Sequence, residues 1–338
     1  SAINIAGDIN IYGEDIFVNS GITTTGSFLA KATRHNNISA NIDALSAKFW
    51  ADSDDSGDGI NLVSASNITT NGGDIEFGNG NTHTDGYLVG GDVYFNSSSA
   101  QTINTNGGDI TVHGETLIAN TNGLTIDTNN GDITFDGVIN SANQYDFVSG
   151  YLDWDEARAD AKSTQYVDGL TIGDTYLVTI GSRLENAVAG IASDYQGAWL
   201  GATRNLDTGN WIWADGPEAG THFFTESSSA GGGSAVGSYY NNFGTGEPNG
   251  YSGGSGTTGE TVATDENRAQ FYGTAGQWND KNNDSETSTG QYAIDGYVRE
   301  TNLANSSLTI NSGSGNVTFS EDVGSSKALA SLDVTSST

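Results

Sequence analysis

The stretch Thr102-Ile103-Asn104-Thr105-Asn106-Gly107-Gly108-Asp109-Ile110-Thr111-Val112 decides the fold of much of this chain, because it recurs. Close copies begin at Asn67 and Thr125, and a fourth copy, residues 309–319, follows much later. Each copy has an apolar residue, a polar turn and an alternating strand, with its two apolar anchors seven residues apart. Such alternation is typical of a strand with one buried face. Asn-Gly and Gly-Gly steps supply the positive φ angles of sharp turns, so the pattern predicts short strands joined by tight polar corners.

The recurrence of one corner sequence favours a parallel β-solenoid, or β-helix, whose stacked coils cover one another's hydrophobic edges. A related alternation of isoleucines opens the chain at residues 3–11. The spacing is uneven, with 35 residues from Ile75 to Ile110 and 23 from Ile110 to Ile133, so some coils must carry loops. A β-sandwich of hairpins also has short strands at such intervals. It does not require the same corner sequence to return, and the solenoid is therefore preferred.

Residues 144–300 interrupt the repeats and have a different character. Aromatic residues become dense there, and five of the six tryptophans lie in this stretch. Asp153 and Glu156 predict the start of a helix that continues to Lys162. Ser182 and Glu185 form a second capping box at the start of another helix. A short buried strand is predicted between the two helices, at residues 176–180.

The return of the repeat after residue 300 makes the aromatic-rich stretch an insertion rather than a terminal domain. The expected organisation is a β-solenoid at 1–143, an α+β domain at 144–300, and the solenoid resumed at 301–338. The fold class is therefore mainly β: a parallel β-solenoid with an inserted α+β domain. The two ends of the insertion must lie close together for the solenoid to continue.

The composition limits the classes of partner. The chain has 42 Asp and Glu against 11 Lys and Arg, a net charge of −31, with both main regions acidic. Such a charge repels nucleic acid and anionic membrane surfaces, but it suits hard cations such as Ca²⁺ or simply keeps a secreted protein soluble. The absence of Cys excludes disulfides and thiol chemistry. No apolar run approaches the ~20 residues that span a membrane. With Ser1 at the start, we expect any signal peptide to be removed or outside these residues, and the protein to be extracellular.

Oxygen ligands for a cation cluster in the second half of the insertion. Glu247-Pro248-Asn249 holds a carboxylate and an amide carbonyl two residues apart, and a cis Glu–Pro bond would turn both side chains toward one point. Trp278-Asn279-Asp280 adds another amide and carboxylate beside an aromatic that favours burial, and Glu266 lies between the two motifs. Mixed carboxylate and carbonyl oxygens are the ligands that Ca²⁺ selects. Amide NH₂ groups can also donate hydrogen bonds to a ligand.

Together with their surroundings, these motifs closely resemble the C-type lectin family, over nearly all of residues 144–300. The segments that carry the resemblance are Trp199-Leu200-Gly201-Ala202, Trp211-Ile212-Trp213-Ala214-Asp215-Gly216, Tyr239-Tyr240-Asn241-Asn242-Phe243 before Gly246-Glu247-Pro248-Asn249, Gln277-Trp278-Asn279-Asp280, and Tyr297-Val298-Arg299-Glu300. Their ordered combination is specific, whereas any one tripeptide is weak. The resemblance implies a C-type-lectin-like domain without the usual disulfides, as in bacterial members. The repeats around it resemble the filamentous-haemagglutinin-like solenoids of large bacterial surface adhesins.

The resemblance also implies a mechanism of recognition. Glu247, Asn249, Glu266, Asn279 and Asp280 would coordinate one Ca²⁺, joined by the backbone carbonyl of Asp280. Two vicinal sugar hydroxyls would complete the coordination and hydrogen-bond to Glu247, Asn249, Glu266 and Asn279. In family members the Glu-Pro-Asn form is associated with mannose-type sugars, whose 3- and 4-hydroxyls are equatorial. The expected protein is a calcium-dependent glycan-binding module of an extracellular adhesin, with no catalytic residues.

Other interpretations stay open at this stage. One alternative hypothesis is a structural subunit of a surface layer, sheath or filament that self-assembles through the solenoid ends. A polysaccharide-cleaving β-helix enzyme rests on fold analogy alone. Gly/Ser-rich segments at 227–238 and 250–259 are either flexible linkers or rims that alter specificity. Asp52, Asp54, Asp55 and Asp58 resemble the start of a calcium loop, but Val63 stands where an EF-hand needs glutamate, so an acidic corner is preferred.

Overall fold

The computed structural model of the protein describes residues 2–54, 59–82, 90–163, 175–205, 208–227, 231–250, 266–272, 276–283 and 293–336. The chain divides into two compact units, one from residues 1–142 and 303–338 and the other from residues 143–302. The first unit consists of parallel β-sheets and the second of an antiparallel-rich sheet with helices. The predicted mainly β class, with a parallel solenoid and an α+β insertion, is confirmed.

The first unit is a solenoid with three strands in each coil. Its strands before the insertion are β1 (Ile3–Ile5), β2 (Ile9–Gly13), β3 (Ile16–Val18), β4 (Ile22–Thr24), β5 (Phe28–Ala32), β6 (Asn36–Ile38), β7 (Ile42–Ala44), β8 (Ala47–Trp50), β9 (Asn61–Val63), β10 (Asn67–Thr70), β11 (Ile75–Phe77), β12 (Val93–Phe95), β13 (Gln101–Asn104), β14 (Ile110–Val112), β15 (Thr116–Ile118), β16 (Leu124–Asp127), β17 (Ile133–Phe135) and β18 (Ile139–Ser141).

The second unit contains both helices that the described residues include. In chain order its elements are β19 (Gln144–Ser149), α1 (Trp154–Ser163), β20 (Thr175–Leu177), α2 (Arg183–Ala192), β21 (Ala198–Asn205), β22 (Asn210–Trp213), β23 (His222–Glu226), β24 (Gly233–Ala235), β25 (Arg268–Tyr272), β26 (Gln277–Lys281) and β27 (Gly296–Thr301). The solenoid resumes with β28 (Ser307–Gly313), β29 (Val317–Phe319) and β30 (Ser331–Ser336).

Strands of successive coils stack in register to form three parallel sheets. Sheet A runs β1-β4-β7-β10-β13-β16-β28-β30, sheet B runs β2-β5-β8-β11-β14-β17-β29, and sheet C runs β3-β6-β9-β12-β15-β18. Strand β16 pairs directly with β28, so that Ile126 lies opposite Ile310 although the insertion separates them in sequence. The long connection within one coil, from Phe77 at the end of β11 to Val93 at the start of β12, explains the uneven repeat.

Each residue of the recurring corner has a separate task, as the copy at residues 105–109 shows. The buried Thr105 hydroxyl donates to the carbonyl of Gly108 and so closes the turn. Asn106 and Gly107 carry the positive φ angles, at 54° and 125°. The Asp109 carboxylate accepts the backbone N–H of Asp132 in the next coil at 2.8 Å, which links the coils.

The second glycine of the corner corrects the expectation that both glycines serve a positive φ. At Gly108 φ is not positive, yet a Cβ atom there would lie 2.5 Å from the carbonyl carbon and oxygen of Gly73 in the preceding coil. The equivalent Gly131 and Gly315 would meet the carbonyl oxygens of Gly108 and Gly131 at 2.1 and 2.0 Å. This glycine is therefore required because the coils approach closely at the corner.

Aromatic and aliphatic side chains fill the interior of the solenoid. Phe28, Phe49, Phe77 and Phe135 are all at most 1% exposed. The rings of Phe49 and Phe77 stack with centroids 5.0 Å apart because β8 and β11 place them in register. Burial of such rings is worth roughly 2–3 kcal/mol each, so the stacked coils form one continuous hydrophobic core.

A charged cluster spans four neighbouring strands of sheet B, on or directly after β8, β11, β14 and β17. His113 places Nε2 3.4 Å from Glu76 Oε1 and Nδ1 2.8 Å from Asp136 Oδ2. Lys48 Nζ lies 2.8 Å from Glu76 Oε2. The hydrogen bond to Glu76 outweighs partial burial and raises the pKa of His113, and the same bond lowers the pKa of Glu76. The imidazolium form of His113 therefore stabilises the fold.

We expect His113→Gln to destabilise the protein in a pH-dependent way. Because the folded pKa of His113 is raised, its contribution is complete below the unfolded pKa of ~6.5 and is lost as pH rises through the folded value. The expected difference from wild type is ~1 kcal/mol at pH 5.5 and clearly smaller at pH 8.5, measured by urea unfolding. Lys48→Gln, which removes the other cation in contact with Glu76, is the control and should give the same loss at both pH values. Equal losses for His113→Gln at both pH values would contradict the assignment.

Local signals in the sequence correctly place both helices of the second unit. Asp153 Oδ1 accepts the N–H of Glu156 at 2.8 Å, and Glu156 Oε2 accepts the N–H of Asp153 at 3.2 Å, forming the predicted capping box. Ser182 caps α2 by accepting the N–H of Glu185. The predicted strand at 176–180 is shorter, and β20 ends at Leu177. Beyond it, the N–H of Thr179 donates to the Glu300 carboxylate instead of a neighbouring strand.

The two ends of the second unit lie side by side, as an insertion requires. Strands β19 and β27 are antiparallel, and Gln144 pairs with Thr301. Within the solenoid, Ser306 donates its backbone N–H to Ser141 Oγ at 2.8 Å and its hydroxyl to the carbonyl of Ile118. Across the described ranges, no helix is long and apolar enough to cross a membrane.

Candidate functional site

Trp278 anchors the part of the second unit that holds the predicted ligands. Its ring is fully buried, and its Nε1 donates to Asn186 Oδ1 of α2 at 2.7 Å. Its backbone N–H donates to the carbonyl of Asn242, and its carbonyl accepts the N–H of Gly244. The segment before Glu247 is therefore held along β26, which carries Asn279 and Asp280.

Asp280 connects the two predicted motifs. Its carboxylate accepts the backbone N–H of Asn249 at 3.0 and 3.1 Å and that of Gly250 at 2.7 Å. The Glu247–Pro248 peptide bond is cis, as the sequence suggested, and Asn249 Nδ2 donates to Glu247 Oε2 at 2.7 Å. Three of the five predicted ligands, Glu247, Asn249 and Asp280, thus lie in one hydrogen-bonded cluster.

The electrostatics of this cluster are unfavourable for two ionised carboxylates. Asp280 is fully buried, and burial with the adjacent Glu247 raises the pKa of Asp280 to about 7. Burial also raises the pKa of the half-buried Glu247. A nearby cation would favour the ionised form of both groups.

The remaining two predicted ligands lie on or beside the β25–β26 hairpin. Asn279 is buried, and its Nδ2 donates to the backbone carbonyl of Asp280, so an amide and a carbonyl oxygen adjoin the cluster. Glu266 is half-buried and precedes β25, in which Ala269 pairs with Asp280. The hydrogen bonds that define the cluster join Glu247, Asn249 and Asp280, whereas Glu266 lies two residues before the neighbouring strand β25.

The chemistry of this donor set suits a hard cation. Two carboxylates lie within hydrogen-bonding reach of one another, with raised pKa values, next to amide and backbone carbonyl oxygens. Ca²⁺ prefers such mixed oxygen ligands, six to eight in number. Among the described residues, no three His, Cys, Asp or Glu side chains converge as a metal-binding group. The set therefore depends on its amide and backbone oxygens as well as its carboxylates.

A buried ion pair that lies next to the cluster was not predicted from the sequence. Arg204 Nη1 lies 2.7 Å from Glu226 Oε2, and the two side chains are 5% and 6% exposed. Burial raises the pKa of Glu226, which Arg204 opposes. The sequence contains one indication of it, since Arg204 is a charged residue within a strand that otherwise packs in the core. Its partner, 22 positions further on, could not be identified without the tertiary structure.

The tryptophans of the insertion belong to its core. Trp154, Trp199, Trp211 and Trp213 are at most 3% exposed. Of the acidic residues that resemble the start of a calcium loop, Asp52 is buried and Asp54 is exposed, while Asp55 and Asp58 lie outside the described residues. Most of the Gly/Ser-rich segment at 250–259 is also outside them.

Comparisons with known proteins match parts of the chain. No protein-family model matches it. A stretch of 84 residues, 25% of this chain, is 33% identical to halomucin of Haloquadratum walsbyi, and the match spans 1% of that protein's length. Among solved structures, the chain is similar to the cow C-type carbohydrate-recognition domain of CD23, crystallised in the presence of GlcNAc2Man3 oligosaccharide. That match has 22% identity, covers 48% of this chain and 90% of that chain, and has a TM-score of 0.32.

A second solved structure is of the same class. The chain is similar to the C-type lectin CEL-I from Cucumaria echinata, with 20% identity and a TM-score of 0.30. This match covers 48% of this chain and 92% of that chain. The structural similarities thus extend over about half of the protein and are to C-type lectin domains.

Proposed function

We propose that the second unit is a calcium-dependent carbohydrate-binding module of an extracellular protein, carried on a β-solenoid. The observation that supports this most directly is the junction of the two motifs. The Asp280 carboxylate holds the backbone of Asn249, and Asn249 holds the Glu247 carboxylate, so that predicted ligands far apart in sequence meet at one place. The module recognises its ligand and breaks no bond.

The residues that would hold the cation are Glu247, Asn249, Glu266, Asn279 and Asp280, with the backbone carbonyl of Asp280. Calcium, when bound, supplies a hard Lewis acid that accepts two vicinal hydroxyls of a sugar. The carboxylate oxygens of Glu247 and Glu266 accept hydrogen bonds from those hydroxyls, and the amides of Asn249 and Asn279 donate them. The exposed position of Asn249 and the half-buried one of Glu247 leave these groups open to a ligand. The Glu-Pro-Asn form makes mannose-type glycans the preferred class.

The test is a titration of Ca²⁺ into metal-stripped full-length protein, followed by mannose binding with and without calcium. We expect wild type to bind calcium, and mannose to bind only when calcium is present. The double variant Asn279→Ala/Asp280→Ala should lose both, because it removes an amide ligand, a carboxylate ligand and the acceptor for Asn249 and Gly250. Galactose, whose 4-hydroxyl is axial, is the control sugar.

Each other outcome has a distinct meaning. Calcium binding at this site without binding of any glycan would favour the structural alternative, in which the protein is part of a surface layer or filament. That alternative has one observation of its own: Ile3, Ile5, Leu332 and Val334 on strands β1 and β30 are more than two-fifths exposed. Pairing of such edges between chains would be seen as concentration-dependent assembly in analytical ultracentrifugation. Failure of wild type to bind calcium would refute the proposal.

A further inference from the structure

The Arg204–Glu226 ion pair packs directly against the backbone of the candidate site at Gly250. Gly250 has a φ of 62°, and a Cβ atom there would lie 2.6 Å from Glu226 Oε1 and 2.7 Å from Arg204 Nη1. The backbone of Gly250 is therefore in contact with both charged groups. On its other side, the N–H of Gly250 donates to Asp280. The turn after Pro248 is thus enclosed between the ion pair and a predicted calcium ligand.

Glu226 reaches this place because it ends strand β23 of the β23–β24 hairpin. Immediately before β24, the N–H of Gly232 donates to the carbonyl of Pro248 at 2.8 Å. A Cβ atom at Gly231 would lie 2.3 Å from the carbonyl oxygen of Gly246, so Gly231 packs tightly against the backbone just before Glu247. The described residues of this hairpin therefore contact residues 246–250 at two places, through Gly231 and Gly232 and through Glu226.

Arg204 also connects with the other side of the site. Its backbone N–H donates to the carbonyl of Asn267 at 3.0 Å, immediately after Glu266. Asn267 is buried, and its carbonyl also accepts the hydroxyl of Thr203. Arg204 thus contacts the Asn249–Gly250 turn through its side chain, and the backbone that carries Glu266 only through its own backbone N–H.

We propose that Arg204 and Glu226 are positioning residues, whose side chains hold the Asn249–Gly250 turn in place for calcium before the cation arrives. The inference rests on the proposed function, and it assigns a role to the β23–β24 hairpin and to a buried ion pair. Neither residue is a ligand in this scheme. A site held in advance loses less conformational freedom on binding, and its affinity is higher for that reason.

The direction in which calcium affinity changes distinguishes a positioning role from a purely electrostatic one. Removing the positive charge of Arg204 should strengthen calcium binding if the pair acts only through its field, because a nearby cation repels Ca²⁺. A positioning role predicts weaker calcium binding instead, since the turn at Gly250 loses the side chain that packs against it. The double variant Arg204→Met/Glu226→Gln keeps the net charge of the pair at zero. A field effect therefore predicts little change for it, whereas positioning predicts weaker binding.

The experiment measures the calcium Kd of full-length protein by isothermal titration for wild type and these two variants. We expect Arg204→Met and the double variant each to raise the Kd about tenfold. Backbone amide exchange at Asn249 and Gly250 in the metal-free protein should also become faster, a change that a general loss of stability would not confine to this turn. The matched control is Arg158→Met/Asp215→Asn, which removes an ion pair between α1 and the second residue after β22 with the same change of charge. The control should alter the Kd less than twofold.

Two results would overturn the inference and leave the proposed function intact. One is an unchanged Kd in the folded double variant, and the other is tighter calcium binding by Arg204→Met. Should the double variant not fold, Arg204→Lys serves instead, because it keeps the charge but loses the planar group beneath Gly250. An unchanged Kd in Arg204→Lys with unchanged amide exchange would equally overturn positioning. Absence of calcium binding in wild type refutes the proposed function itself.

Discussion

Asp280→Asn is expected to weaken calcium binding by about a hundredfold, because affinity at such sites follows the number of charged ligands. The change removes a carboxylate and places an NH₂ group opposite a backbone N–H, either that of Asn249 or that of Gly250, which both donate to Asp280. The Asn249–Gly250 turn therefore loses an acceptor at the same time as the cation loses a ligand. The calcium Kd from isothermal titration measures the effect directly.

The stability of the same variant provides an independent readout. In wild type, calcium binding should raise the melting temperature, since a ligand that binds only the folded state stabilises it. In Asp280→Asn this rise should disappear at calcium concentrations that saturate wild type. The matched control, Asp215→Asn, removes a carboxylate that is paired with Arg158 and Lys162. It should lower the melting temperature while leaving the Kd unchanged. Wild-type affinity in Asp280→Asn would contradict the assignment of Asp280 as a ligand.

Gly108→Ala is expected to destabilise the solenoid by about 3 kcal/mol, the upper part of the usual range for overpacking. Its added Cβ would meet backbone atoms of Gly73 at 2.5 Å, and backbone cannot move aside as a side chain can. The two coils must separate locally, which weakens the hydrogen bonds and core contacts between them. Urea unfolding, followed by circular dichroism, measures the loss.

The neighbouring glycine is a control within the same turn. Gly107 has a φ of 125°, and a Cβ atom there would meet nothing within 4 Å. Gly107→Ala therefore has only the cost of a backbone conformation that residues with a side chain rarely adopt, about 1–3 kcal/mol. The expected order is a larger loss for Gly108→Ala than for Gly107→Ala. The reverse order would show that backbone conformation, rather than contact between coils, accounts for the second glycine.

The stacking of the solenoid could be predicted from its repeats, because alternating apolar residues and a recurring corner specify both a buried face and a turn. Gly107 was correctly expected to have a positive φ. The role of Gly108 could not be predicted, since its constraint comes from a neighbouring coil and leaves no mark on local conformation. The order of strands in the second unit could not be predicted for the same reason, because it depends on contacts between distant segments: β27 pairs with both β19 and β20.

The candidate site could likewise be predicted only in part from the sequence. The types of residue in the Glu247–Asn249 and Trp278–Asp280 segments indicated oxygen ligands for a cation, and the structure brings both segments together through Asp280. The number of cations and the position of Glu266 relative to the cluster depend on distances between loops, which a motif does not encode. Arg204 and Glu226 escaped notice because neither belongs to a motif, and their pairing arises only from the registers of β21, β22 and β23.

The antiparallel pairing of β19 with β27 has a consequence for how the two units fold. If residues 143–302 unfold, they become a long flexible loop between two strands that must still stack, β16 and β28. Closing a loop of this length costs about 4 kcal/mol of chain entropy. The folded insertion removes that cost, since it delivers Thr301 beside Gln144. The last coils of the solenoid are therefore thermodynamically coupled to the insertion, and a ligand that stabilises one unit also stabilises the other.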